Sequence, residues 1–217
     1  MLLSLVALVV TAVFSPILAL RHVTVDGTSR LDAAALVDAV DGQLGTPLAL
    51  LDENRVRSEL GEFPLIRSYV TELVPPDTLV IHIVERSPIG VVSADGGFEL
   101  VDPAGVTIDT TVTAPEGYPV MQLAEGDDVS GAGFRSMAEV LLALPPAVLA
   151  QVATITAQTK DDVTLTLTGS SQRVAWGSAD DSVEKAAVLT SLIALHKGDG
   201  PGEYDVSAPG IGVFHKD

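Results

Sequence analysis

Four histidines, 29 Asp/Glu carboxylates and no cysteine are the side chains of this 217-residue chain from which chemistry could be built. His82 and Glu85 come nearest to a metal-ligand pair. They lie three apart in an alternating segment, so on a strand they point to opposite faces. No HExxH pattern occurs, and His22, His82, His196 and His215 form no pair at helical spacing. Residues 131–136 read GAGFRS. Ser136 stands where a dinucleotide fingerprint needs its third glycine, and no apolar strand precedes it. Neither a GxSxG elbow nor a P-loop is present. The pairs Asp127-Asp128 and Asp161-Asp162 lack the 1,3,5 spacing of a calcium loop and read as acidic turns. Without cysteine there is no disulfide, thiolate metal site or thiol nucleophile. The sequence therefore predicts no catalytic residue, no metal and no cofactor.

The elements that hold these residues begin with an anchor. Residues 1–20, MLLSLVALVVTAVFSPILAL, carry no charge. Twenty helical residues span about 30 Å, the thickness of a bilayer's hydrocarbon core. A signal peptide is the competing reading, but no Lys or Arg precedes the run, and a cut after Ala19 would put the bulky Ile17 at −3. A retained transmembrane helix over 1–20 is the expectation. The nearest basic residue, Arg21, lies after the run, so the positive-inside rule gives no orientation.

Net charge is −17, which argues against nucleic acid as a partner. Residues 1–88 carry 6 Lys/Arg against 11 Asp/Glu, a net of −5, and residues 89–217 carry 6 against 18, a net of −12. The acidic surface reads as solvated and soluble. Hydrophobic residues make up 47% of the chain but aromatics only 4%, so Ala, Val and Leu must fill the core.

Residues 20–26 alternate and predict a strand ended by Gly27. Asp32 then precedes Ala33, Leu36, Val37, Val40 and Leu44, one face of a capped helix. Asp52 opens a second helix, with Val56, Leu60 and Phe63 on its buried side and Gly61 and Pro64 ending it. Residues 65–74 and 78–85 flank a Pro75-Pro76-Asp77 turn and predict a hairpin. The order β-α-α-β-β makes a small α+β module, closed at Pro88. Short strands follow at 89–93, 98–101 and 105–108, then a loop over 110–119. A helix is expected from Gly133 to about Leu144, with a short turn of helix at 147–152. Strands at 152–158, 163–168 and 172–176 read as a meander. Asp180 or Asp181 is expected to cap a helix to His196 with Val183, Ala186, Ala187, Thr190, Ile193 and Ala194 facing inward. Residues 203–214 read as one last extended segment.

Three stretches together resemble a known family. The first is FSPILALRHVTVDG, running from the apolar segment into a strand. The second, residues 45–88, is similar to a POTRA domain with a Pro-x-Thr-Leu strand and a Glu-Arg-x-Pro exit. The third is GGFELVDPAGVTID, with EKAAVLTSLIALH and EYDVSAP near the end. On these the chain resembles the cell-division family FtsQ/DivIB, over nearly its whole length. The resemblance implies an α+β protein: a transmembrane helix at 1–20, a POTRA domain at 21–88 and a mixed β domain at 89–217 with a meander sheet and packed helices. It implies a single-pass protein of the cytoplasmic membrane, at the division septum, with most of its chain outside the cytoplasm and a cytoplasmic tail that this sequence lacks. It further implies no enzymatic activity, and a scaffold linking early and late division proteins. The implied partners are FtsB-like and FtsL-like single-pass coiled-coil proteins and other divisome membrane proteins.

In that family a partner adds a strand to the last strand of the β domain. The matching positions are Ser207, Ala208, Pro209, Gly210, Ile211, Gly212, Val213 and Phe214. An edge strand independently offers unpaired N–H and C=O groups, and Pro209 is tolerated only at an edge or bulge. The POTRA hairpin strand, Ile66 to Leu73, is the second expected contact surface. Arg67 and Tyr69 are its exposed anchors if Ile66, Ser68 and Val70 face inward. Two other readings stay open: a POTRA protein of translocation or outer-membrane assembly, and an extracytoplasmic cell-wall enzyme.

Overall fold

The computed structural model describes residues 3, 4, 11, 13–94, 96–169 and 172–217. The chain divides between Arg86 and Ser87 into two compact units, each with its own apolar core.

Part of the span expected over residues 1–20, namely 1, 2, 5–10 and 12, lies outside the described residues. Among the described residues no helix is long and apolar enough to cross a membrane. The end of the run is described, and it is not helical through Leu20. Ser15 is extended, Pro16–Leu18 forms a single 3-10 turn, and Ala19 is extended and bridges Pro47. The cause is Pro16, which disfavours helical geometry at the residue before it. Leu20, at 1% exposure, belongs to the core of the first unit.

The first unit runs β1 (His22–Asp26), α1 (Ala33–Ala39), α2 (Glu53–Leu60), β2 (Ile66–Val74) and β3 (Thr78–Glu85). Asp32 caps α1 by accepting from the Ala34 N–H at 2.9 Å, and Asp52 caps α2 by accepting from Asn54 and Arg55. The sheet order is β1-β3-β2, with β1 parallel and β2 antiparallel to β3. Leu36, Val40, Val56 and Leu60 bury the helices against Leu79, Ile81 and Ile83 of the central strand. Each such side chain contributes about 1.5–3 kcal/mol.

Gly27 ends β1 at φ +77°, where a Cβ would lie 2.1 Å from the Ile83 carbonyl oxygen. Gly27→Ala is therefore expected to destabilise the first unit by more than about 1 kcal/mol, lowering its thermal midpoint by several degrees. Calorimetry showing an unchanged midpoint would contradict this.

In β2 the inward face differs from expectation. A bulge between Ile66 and Ser68 shifts the register, and the alternation changes phase after it. Tyr69 then packs on the core while Val70 is 65% exposed. Arg67 is exposed, but Tyr69 is half-buried and is not the outward anchor expected.

The second unit holds β4 (Gly90–Ala94), β5 (Gly97–Val101), β6 (Thr107–Thr111), β7 (Val120–Gln122), α3 (Ala132–Ala143) and α4 (Pro146–Leu149). It continues with β8 (Val152–Ala157), β9 (Val163–Leu167), β10 (Arg173–Gly177), α5 (Ser182–Leu195), β11 (Gly202–Asp205) and β12 (Val213–Lys216). Among the described residues these strands form one sheet in the order β12-β11-β10-β9-β8-β7-β4-β5-β6. The meander β8-β9-β10 is antiparallel, as its sequence spacing predicts. The three-residue β7 was not expected. It pairs parallel to β4 on one side and β8 on the other, and so joins the first hairpin to the meander. Strands β8 to β10 alternate buried with half-buried or exposed residues, so the sheet buries one face deeply. Phe134, Met137 and Leu141 of α3 and Leu189 of α5 share that core with Ile155, Leu165 and Trp176.

The inward face of α5 is rotated from the expected one. Val183 is 77% exposed, Ala187, Thr190 and Ala194 also face solvent, and the buried residues are Ser182, Lys185, Ala186 and Leu189. Two polar anchors set the rotation. The Trp176 indole N–H donates to Ser182 Oγ at 3.1 Å, and Lys185 Nζ donates to the carbonyl oxygens of Ser178 at 2.9 Å and Trp176 at 3.3 Å. Burial lowers the Lys185 pKa, and the charges of Asp180 and Asp181 oppose that shift. Asp181 sits at φ 53° and makes no side-chain cap.

Candidate functional site

The end of the chain is two strands and a connection, not one extended segment. β11 lies parallel to β10, the chain turns back over residues 206–212, and β12 pairs antiparallel with β11. Of the eight positions expected in the edge strand, only Val213 and Phe214 are in it. Ser207, Ala208, Pro209, Gly210, Ile211 and Gly212 form the connection. The turn is locally specified. Ser207 donates both its N–H (2.9 Å) and its Oγ–H (2.7 Å) to Asp205 Oδ1, and Gly210 adopts φ +71°. Bonds from the Ser207 hydroxyl and then its N–H lower the Asp205 pKa, with a smaller contribution from His215. The connection also lies against α5: a Cβ on Gly212 would meet Val188 at 2.6 Å and Leu192 at 2.7 Å.

Among the described residues, no strand pairs with the outer side of β12. The ladder tells which backbone groups face outward. The Asp217 N–H donates to the Pro201 carbonyl. Bonded pairs alternate along an antiparallel ladder, so Val213 and His215 turn their backbone groups towards β11. Phe214 and Lys216 turn theirs outward, offering an N–H and a C=O each.

Aromatic packing holds β12 in place. The Phe214 ring centroid lies 4.7 Å from Tyr204 and 4.5 Å from His196. His196 Nδ1 is 2.9 Å from Asp199 Oδ2. The Tyr204 hydroxyl donates to Gln172 Oε1 at 3.3 Å, and Gln172 Nε2 donates to the carbonyl oxygens of Asp199 and Gly200. Burial raises the Tyr204 pKa, keeping its phenol a neutral donor. Gly202 has no room for a side chain, because a Cβ would meet the Phe214 ring at 2.6 Å. Val213 (47% exposed) and Ile211 (65%) are left as outward apolar groups. The edge can therefore accept an extended segment through backbone hydrogen bonds and give it two apolar contacts.

The opposite edge, β6, has a register shift in its pairing with β5 and carries Asp109. Both features discourage strand addition there.

His82 and Glu85, the nearest candidates for a metal-ligand pair, are both tied into the fold of the first unit. His82 and Glu85 do lie on opposite faces of β3. His82 Nδ1 contacts Asp26 at 2.8 Å and its Nε2 contacts Glu72 at 3.2 Å, bridging three strands. Those bonds, Asp26 first, raise its pKa. Glu85 accepts from the backbone N–H groups of Ser29, Arg30 and Leu31 at 2.8–3.2 Å and from the Ser29 hydroxyl at 2.8 Å. Burial alone would raise its pKa, but these bonds, led by Leu31, hold it down at about 2. Neither the His196–Phe214 contact nor the Glu85 nest was identified from sequence, since each joins segments that only the fold brings together.

Residues 18–86 match the family described as POTRA domain, FtsQ-type, and residues 90–206 match the C-terminal family of the cell division protein FtsQ/DivIB. The second match stops short of the connection and β12. Cell division protein FtsQ of Mycobacterium leprae is 34% identical over 198 residues, covering 91% of this chain and 56% of that protein. FtsQ of Streptomyces collinus is 34% identical over 203 residues, covering 88% and 76%. FtsQ of Mycolicibacterium smegmatis is 33% identical over 207 residues, covering 95% and 60%. The chain thus spans between about half and three quarters of the length of these relatives. A solved structure, the major extracytoplasmic domain of the trans isomer of DivIB from Geobacillus stearothermophilus, has a TM-score of 0.40 and 22% identity, over 51% of this chain and 93% of that one. That likeness is too remote to carry an argument.

Proposed function

The chain belongs to the FtsQ/DivIB family of cell-division proteins, and from that premise we propose that it is a non-catalytic, single-pass scaffold of the division machinery. In this reading residues 1–20 hold it in the cytoplasmic membrane at the septum. Residues 21–88 are its POTRA domain and residues 89–217 its β domain, both outside the cytoplasm. Early and late division proteins meet on it, and a single-pass FtsB-like or FtsL-like partner adds an extended strand to its C-terminal edge. The observation that carries the reading is β12: a sheet edge without a described partner, held rigid by Phe214 between Tyr204 and His196. A rigid edge loses little conformational freedom when a strand adds to it. Arg67, exposed on β2, is the contact kept from the POTRA hairpin.

The docking site is β12 with the end of the connection, centred on Ile211 to Lys216, rather than a strand over 207–214. Ile211→Asp is expected to weaken binding of an extracytoplasmic FtsB-like peptide about tenfold, with the thermal midpoint unchanged. Ile211 is 65% exposed, so its replacement leaves the core intact. Calorimetric titration giving wild-type affinity for the variant would remove Ile211 from the site.

A further inference from the structure

We propose that one pole of the first unit is a lipid-facing collar that seats in the bilayer interface beside the membrane segment. The proposal rests on the membrane reading of residues 1–20. Strands β1 and β3 both begin at this pole, since His22 pairs with Thr78. Three segments are tied together there. The lead-in to β1 bonds the loop after α1: the Leu20 N–H donates to the Thr46 carbonyl at 2.8 Å and the Gly45 N–H to the Leu20 carbonyl at 2.8 Å. The hairpin turn joins them when the Arg21 N–H donates to the Asp77 carbonyl at 2.8 Å.

Exposed apolar side chains gather on these segments. Phe14 is 62% exposed, Ile17 68%, Leu44 50%, Leu50 50% and Val74 39%. The loop between Asp41 and Asp52, GQLGTPLALL, is ten residues without a charge in a chain of net charge −17. Apolar side chains exposed together on segments tied by hydrogen bonds mark an interaction surface.

Continuity identifies what covers it. Residues 1–20 are uncharged throughout, and the Ala19–Pro47 bridge fastens the Leu44–Leu50 loop directly to the end of that run. Wherever the run enters lipid, the loop lies at the same surface. Arg21 is exposed at the rim, its Nη2 donating to the Pro16 carbonyl at 3.1 Å, the position of an interfacial cation. Asp41 and Asp77 flank the collar and keep its insertion shallow. The first unit is then seated on the membrane instead of hanging from a flexible tether, and its orientation relative to the bilayer is fixed.

The absence of cysteine makes the test direct. Leu44→Cys, Leu50→Cys and the control Val84→Cys, 48% exposed on the sheet, are labelled with an environment-sensitive fluorophore in the full chain. Each is reconstituted at low density in phosphatidylcholine vesicles. Labels at 44 and 50 are expected to shift to the blue, to be quenched by spin-labelled lipid and to be shielded from iodide, while the label at 84 behaves oppositely. If the chain floats with the vesicles after an alkaline wash but the labels at 44 and 50 are open to iodide, the collar is wrong and the membrane reading stands. Labels shielded from both quenchers indicate cover by a second copy and also overturn it. A chain that does not float overturns both.

Discussion

Glu85→Gln is expected to lower the unfolding free energy of the first unit by about 2 kcal/mol at pH 7, and the loss should shrink in acid. Glu85 closes the module by accepting three backbone N–H groups and a hydroxyl from residues 29–31. A glutamine offers one acceptor oxygen and turns an amide N–H₂ against the remaining donors, leaving them unsatisfied. The carboxyl's pKa falls from 4.5 to about 2 on folding. That difference corresponds to about 3 kcal/mol before screening, and about 2 kcal/mol after it. Because the folded pKa is lowered, the stabilisation is fully present above pH 4.5 and is lost as pH falls through 2. Denaturant unfolding at pH 7 and pH 3 should show the gap between wild type and variant fall to about half. An equal gap at both values would mean that the carboxylate charge does not hold the nest.

Lys216→Pro is expected to weaken partner binding at least tenfold while leaving the fold intact. Lys216 turns its N–H away from β11, so proline removes a donor from the outer edge and none from the existing ladder. A lost hydrogen bond costs about 1 kcal/mol, and the pyrrolidine ring also obstructs an approaching strand. The exposed Lys216–Asp199 pair, at 3.8 Å, contributes little to stability. Val213→Pro makes the contrast, because its N–H faces β11. That variant should lose stability as well as binding. Equal affinities for wild type and Lys216→Pro would show that the partner does not use this edge.

The sequence made some of this legible and concealed the rest for physical reasons. Asp32 and Asp52 announced both helices of the first unit because caps act over two or three residues. The opposed faces of His82 and Glu85 followed from strand parity alone. The phase of β2 did not, because the bulge at Ile66/Ser68 depends on how that strand meets β3. Hydrophobic periodicity misplaced the face of α5, since polar Ser182 and Lys185 are buried against Trp176 while Val183 is exposed. Strand β7 is three residues long and is defined by neighbours distant in sequence. At the candidate site, the family resemblance and Pro209 pointed to an edge strand running through Pro209, Gly210 and Gly212. They instead build the turn that returns the chain to form one, displacing the edge towards Lys216. The register of β11 and β12 then decided which backbone groups are available, which no sequence pattern could give.

Residue-resolved amide hydrogen exchange, with and without an extracytoplasmic FtsB-like peptide, tests the strand-addition account most directly. In the free protein the amides of Val213 and His215 should be protected by β11 and those of Phe214 and Lys216 should exchange quickly. Peptide binding should protect Phe214 and Lys216 and leave β6 unchanged. Binding that leaves these two amides fast, or that protects β6 or β2 in their place, would contradict the assignment of β12 as the docking edge.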